Sequence, residues 1–254
     1  VMIQKYNEIL DGSNLELNMI ELRDNSFSKL VTHFYFTPAA YYRIVLPEMI
    51  PEAEKILYLD SDLIIRESLK PLLDLDLGDY GLAAVENPLF DRHEDLKMPG
   101  SASYFNSGVM LLNAKKFRKE KYAETILKYV KENREKILYV DQDALNAVLH
   151  DKWISLPMKW NVQTKMYFQK PSDTMFTINE YQKGLDNPAI VHFTTKSKPW
   201  HYMNNHPFKK EYIKYLKIAG FKPEFDDYTF RNFLKKHYNI YIKRKKRIDY
   251  TYAF

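Results

Sequence analysis

The chain contains no cysteine. Disulfides, thiolate metal sites and cysteine nucleophiles are therefore excluded, and the composition fits a reducing compartment. Nowhere does an apolar run approach the ~18 residues that a membrane-spanning helix needs. The opening segment VMIQKYNEIL has neither a basic n-region nor a long apolar stretch, so it does not read as a signal peptide. No internal repeat and no low-complexity linker interrupts the 254 residues. Acid is missing from one window: Tyr228 to Ile248 has none, while eight Lys and Arg residues fall there. Taking those eight from the net charge of +5 leaves −3 for the remainder, so the basicity is local.

What is present is a hydrophobic content of 45%, enough for one sizeable core and an appendage. Gln4–Leu10 reads as the end of an amphipathic helix, Asp11-Gly12 as a turn, and Leu15–Met19 alternates like a strand. Pro38–Leu46 and Ala114–Asn133 have helical spacing, and Asp141 is placed to cap a helix reaching Leu149. Strands are expected at Lys55–Asp60, Asp62–Ile65, Tyr80–Val85, Tyr104–Leu112 and Ala189–Phe193. Strands alternating with helices predict an α/β sheet. A boundary near Asn205 divides a body, residues 1–205, from a basic, aromatic C-terminal segment, residues 206–254, that opens with an amphipathic helix.

ILYLDSDLII is the most telling stretch. Apolar runs on both sides mark a strand covered on both faces, yet Asp60 and Asp62 sit between them. Carboxylates are almost never buried unless paired or bound to a metal. Residues two apart in an extended segment share a side, so the two acids can converge on a hard cation. An EF-hand loop is rejected, because its sixth position is Ile65 rather than Gly. A second cluster, His192-Phe-Thr-Thr-Lys-Ser-Lys198-Pro-Trp-His201, follows an apolar strand, where ligands bind in open α/β sheets. An imidazole joined to two carboxylates suits Mn²⁺ better than Ca²⁺, and Lys196 and Lys198 offer point charges for phosphate. Asn106-Ser107-Gly108 inside a buried strand marks either close approach of a ligand or a β-bulge.

These motifs in this order bring a family into view. YYRIVLPEMIPEAEKILYLDSDLII, YFNSGVMLLN, YVDQDALN and HFTTKSKPWH resemble the retaining glycosyltransferases of family 8, over about Asn14 to His201. That family includes bacterial lipopolysaccharide galactosyl- and glucosyltransferases and glycogenin. The resemblance implies a GT-A fold, a mixed sheet flanked by helices, and transfer of glucose or galactose from UDP-glucose or UDP-galactose. The acceptor would be a glycan, glycoprotein or glycolipid, with Mn²⁺ as the cofactor and Mg²⁺ as the alternative. By motif, Asp60, Asp62 and His192 match metal ligands, and Lys198 matches the lysine that meets the donor diphosphate. Arg43, Ser61, Glu86, Asn106 and Thr195 fall at donor-site positions, Thr195 standing where relatives often carry Gly. Asp141 and Gln142 match residues at the transferred sugar, Gln142 near the anomeric carbon.

The family usually opens with a strand, helix and strand that bind the base. Here nothing before Leu15 is long enough for a βαβ unit, so either that unit lies outside this sequence or the base-binding half has been lost. The first is expected, because a central strand without its neighbour would expose apolar surface and unpaired backbone groups. In the tail, Phe230, Phe233, Leu234, Tyr238, Ile240, Tyr241 and Ile242 interleave with lysines, which suits an anionic membrane surface. The expectation is a cytoplasmic protein touching the inner membrane face through that tail, with no nucleic-acid partner. Two alternatives remain. One is a non-catalytic module that binds glycans or a partner. The other is a haloacid-dehalogenase-like phosphohydrolase, disfavoured because Ile64 replaces the usual Thr or Val and Asp226-Asp227 follows no apolar strand.

Overall fold

The computed structural model describes residues 2–12, 15–20, 38–225 and 227–246. Asp226, the last eight residues and the side chains of 240–246 lie outside that description, so the expected interleaving at Ile240, Tyr241 and Ile242 does too. Two mixed sheets form the frame. The first orders β1 (Lys55–Leu59), β4 (Phe105–Asn113), β3 (Leu82–Glu86) and β5 (Trp153–Ser155). Its β1–β4 and β4–β3 pairs are antiparallel and its β3–β5 pair is parallel. The second orders β2 (Leu63–Ile65), β7 (Ile190–His192) and β6 (Val162–Gln163). Here β2 and β7 run antiparallel, while β7 and β6 run parallel.

Strand β4 is covered on both faces, which is why its sequence is almost continuously apolar. On one face Phe105, Met110 and Leu112 pack against α2 (Tyr42–Met49), α4 (Ala114–Glu120), α5 (Tyr122–Glu132) and α6 (Val140–Leu149) through Ile44, Phe117, Ile126 and Leu145. On the other, Val109 and Leu111 meet Leu72, Trp160, Val162 and Ile190. The second cluster bridges the two sheets.

Three expectations change. Leu15–Met19 forms no strand. Residues 15–20 join neither sheet, and Leu15, Met19 and Ile20 are exposed, since alternation makes a strand only where a ladder is paired. Ala114–Asn133 is two helices, because Lys121 adopts φ 54°, a left-handed conformation that ends α4 before α5 begins. Asp141 does not cap α6: Tyr139 holds the cap position, and the backbone N–H groups of Leu138 and Tyr139 donate to Asp143 Oδ2 instead. Beyond the sheets, Phe208 and Tyr212, from α8 (Lys209–Ile218) and the turn before it, pack on Ile64, Val191 and Phe193. The basic segment is helical, as α9 (Phe230–Lys246). No helix among the described residues is long and apolar enough to cross a membrane.

Candidate active site

Asp60 and Asp62 lie where the chain leaves one sheet and enters the other. Asp60 N–H donates to Gly108 O at the end of the β1–β4 ladder, at 2.8 Å. Asp62 O accepts from Phe193 N just past β7, at 2.9 Å. Each acid is thus held by a different sheet, and Leu63 pairs with His192 across the second. The result is that one ligand atom from each of Asp60, Asp62 and His192 lies within 4.8 Å of the others. His192 Nε2 is 3.2 Å from Asp62 Oδ1 and 3.5 Å from Asp60 Oδ2. Two hard carboxylates and one imidazole are a donor set that a divalent cation fits.

Gly108 makes the approach possible. A Cβ there would lie 2.1 Å from His192 Cε1 and 2.6 Å from Asp60 Oδ2. It belongs to an irregular stretch of β4: Ala84 pairs with Met110 but Glu86 with Phe105, so residues 106–109 bulge away from β3. The β-bulge expected at Asn106-Ser107-Gly108 is therefore present, and the side chains of His192 and Asp60 occupy the space a Cβ at Gly108 would take. The freed backbone groups go to site residues, as buried polar groups must. Ser107 N donates to Gln142 Oε1 at 3.1 Å, and Gly108 N to Asn106 Oδ1 at 3.0 Å.

Arg43, on α2 with its side chain 10% exposed, ties the acids together. Its Nη2 is 3.0 Å from Asp60 Oδ1 and its Nε 3.2 Å from Asp141 Oδ2, while Nη1 donates to Ser107 O at 2.9 Å. The guanidinium also stacks on Tyr58, whose hydroxyl donates to Asp60 Oδ1 at 2.8 Å. Ser107 Oγ donates to Asp141 Oδ2 at 2.8 Å. Burial pushes the Asp141 carboxyl up to about 6, against the opposing pull of Arg43 and the Ser107 hydroxyl. At Asp60 and Asp62 burial also opposes the charge. Hydrogen bonds to His192, with Arg43 at Asp60 and Lys198 at Asp62, nevertheless hold both carboxyls below the usual range. Lys198 Nζ donates to Asp62 Oδ2 and to Phe193 O.

Asp60, Asp62, His192, Lys198, Arg43 and Asp141 are thus joined by direct contacts, and Asn106 and Gln142 connect to them through Ser107 and Asn161. The other three sequence candidates are not part of that network. Ser61 is exposed between the two acids. Thr195 Oγ1 donates to Ser197 O within its own loop, at 3.3 Å. Glu86 accepts from Met175 N at 2.9 Å, and burial raises its carboxyl. It lines a cavity of about 300 Å³ with Phe90, His93 and Tyr104. Asp227, half of the phosphohydrolase-like pair, caps the N–H groups of Tyr202 and Met203, and among the described residues it joins no group of three or more metal-ligating side chains. Sequence reasoning missed Tyr58, which sits two residues before Asp60 and so on the same strand face. It gave no role to Tyr104 or Asp143, although both stand in the motifs it singled out, and it missed the fully buried Asn161 between Trp160 and Val162.

The model of glycosyl transferase family 8 matches residues 2–204. This chain belongs to that family. The general stress protein A of Bacillus subtilis (strain 168) is 34% identical to this family member over 206 residues, which are 79% of this chain and 72% of that one. The lipopolysaccharide 1,2-glucosyltransferase of Escherichia coli (strain K12) is 27% identical over 85% of this chain and 64% of its own. Among solved structures, the galactosyltransferase LgtC in complex with donor and acceptor sugar analogs superposes with a TM-score of 0.67. That match is at 25% identity and covers 84% of this chain and 76% of LgtC. The fold is therefore the GT-A α/β arrangement of family 8 glycosyltransferases.

Proposed function

We propose that this glycosyltransferase moves a hexose, glucose or galactose, from its UDP-sugar to a glycan, glycoprotein or glycolipid acceptor, with retention and with Mn²⁺. One observation carries the proposal: Asp60, Asp62 and His192 converge beside the ammonium of Lys198, next to Asp141 and Gln142. The similarity to a glucosyltransferase and to a galactosyltransferase supports a hexose and leaves both sugars in play.

A bound Mn²⁺ would neutralise charge on the departing diphosphate. Lys198 adds a positive charge on the same side, a stabilisation that needs no proton transfer. Arg43 holds Asp60 and Asp141 in place, and the carboxylates near the sugar favour an oxocarbenium-like transition state. Gln142 Oε1 accepts from Asn106 Nδ2 at 3.0 Å and from Ser107 N, which weakens an amide oxygen that is already a poor nucleophile. The acceptor hydroxyl then attacks from the face the diphosphate leaves. The new C1–O bond forms as the old one breaks, its electron pair departs with UDP, and the hydroxyl proton passes to a phosphate oxygen.

Contact with an anionic membrane is part of the same proposal, because Phe230, Leu234 and Tyr238 are exposed at four-residue spacing on α9. Liposome co-sedimentation that ignores anionic lipid content would remove it. For the activity, UDP-glucose and UDP-galactose hydrolysis is measured with and without Mn²⁺. Metal-dependent UDP release, abolished by Asp62→Asn, is the expected result. No release and no UDP binding would leave a glycan- or partner-binding module.

A further inference from the structure

Six buried or half-buried side chains form an unbroken hydrogen-bond chain from the metal-site histidine to a carboxylate on α6, and each link has one possible direction. Asp143 Oδ2 accepts from Arg92 Nη1 at 3.1 Å and from the backbone N–H groups of Leu138 and Tyr139. Its Oδ1 takes the proton of the Tyr104 hydroxyl at 2.6 Å. With its hydrogen committed, that hydroxyl can only accept from the group facing it, Gln142 Nε2 at 3.2 Å. The Gln142 carbonyl must then face Asn106 Nδ2, and the backbone donor Ser107 N requires the same. Asn106 Oδ1 meets Gly108 N, a fixed donor, and therefore accepts from Asn161 Nδ2 at 2.8 Å. Asn161 Oδ1 remains for His192 Nδ1 at 3.0 Å, so the proton of that bond sits on Nδ1. His192 Nε2 is the nitrogen left facing Asp60 and Asp62.

We propose that Asn161 is a positioning residue that serves both halves of the site. Through its carbonyl it keeps His192 in the tautomer whose Nε2 can ligate a metal. Through its amide N–H it gives Asn106 Oδ1 a second donor beside Gly108 N, and so reinforces the orientation of Asn106 and of the Gln142 amide it meets. This inference rests on the metal-dependent transferase proposed above. Orienting partners of this kind typically change metal affinity ten- to a hundredfold when lost.

Substitutions separate the two halves. Asn161→Leu removes both bonds. Asn161→Asp keeps an acceptor for His192 Nδ1–H but sets a second acceptor against Asn106 Oδ1. Tyr104→Phe cuts the chain at its far end. Mn²⁺ affinity is read by electron paramagnetic resonance of the free ion, and kcat by UDP-sugar hydrolysis. Asn161→Leu should weaken Mn²⁺ binding by at least about tenfold. Asn161→Asp and Tyr104→Phe should leave it within about threefold or tighter, while kcat falls by at least about tenfold. Unchanged Mn²⁺ affinity in Asn161→Leu, or unchanged kcat in Asn161→Asp, would overturn the inference. Failure of the unaltered protein to bind Mn²⁺ or release UDP would instead bring down the transferase proposal, and this inference with it.

Discussion

Gly108 backs directly onto the imidazole of His192: a methyl group at that position would stand 2.1 Å from Cε1 and 2.9 Å from Nδ1. The neighbouring atoms belong to buried, hydrogen-bonded groups and not to free side-chain ends, so they have little room to yield. Gly108→Ala should therefore displace His192 and Asp60 together. We expect a stability loss of about 1–3 kcal/mol, the usual cost of overpacking, and Mn²⁺ binding weakened at least about tenfold. Urea unfolding and calorimetric titration with Mn²⁺ would report both effects. A variant that binds Mn²⁺ normally would show that the cradle around Gly108 is looser than its geometry implies.

Arg43 is the shared counter-charge of Asp60 and Asp141, and its donors leave in different directions to reach them. Arg43→Met would strand two largely buried carboxylates, at a cost of about 3–5 kcal/mol. Arg43→Lys should recover little of this, because one ammonium cannot span both acids and Ser107. Chemical denaturation of the three proteins at pH 7 checks the order. Full rescue by lysine would argue that net charge alone matters there.

His206 supplies a pH signature away from the metal site. Burial among Phe193, Tyr167 and Phe208 lowers its pKa from 6.5 to about 4. The folded state thus binds its proton less readily than the unfolded chain, whose histidine titrates near 6.5. Stability from this group is fully present above pH 6.5 and is lost as pH falls towards 4, by about 3 kcal/mol. His206→Gln removes the titration. Thermal unfolding of the two proteins from pH 7 to pH 4 should therefore converge or cross as the unsubstituted protein weakens faster. Parallel curves would rule the histidine out.

The loop that carries Lys198 is anchored from the basic segment. Asp227 accepts from the N–H groups of Tyr202 and Met203, and Lys209 and Lys236 donate to carbonyls of residues 201–204. Asp227→Ala leaves two backbone donors without that partner and should cost about 1–3 kcal/mol. Trypsin cleavage after Lys196, which is exposed, should accelerate relative to cleavage elsewhere. An unaltered cleavage rate would mean the loop is held by its other contacts.

Much of the frame is legible locally. Apolar runs of strand length, interrupted by turn residues, are enough to locate β1, β3, β4 and β7; burial on both faces leaves a direct mark on composition in β3, β4 and β7, whereas β1 is a half-buried edge strand and not the doubly covered one expected. Leu15–Met19 has the same alternation and forms no strand, since pairing depends on a neighbour that the pattern cannot supply. The break at Lys121 is hidden for a related reason: a single left-handed residue in a lysine-rich helical run leaves little trace in hydrophobic spacing.

Within the site, the charged chemistry is written in the chain: Asp60 and Asp62 two residues apart, with a histidine and a lysine at the end of another strand. Charges in apolar surroundings are costly, so their presence there already implies a partner. How those groups are aimed depends on contacts between segments far apart in the chain. The crossing from one sheet to the other at Asp60–Asp62, the space vacated by Gly108 and the orientation of the amides of Asn106, Gln142 and Asn161 all follow from the register of β1, β4, β7 and α6. An amide reads the same in sequence whichever way it faces, and it is the donors and acceptors brought beside it by distant segments that fix its direction.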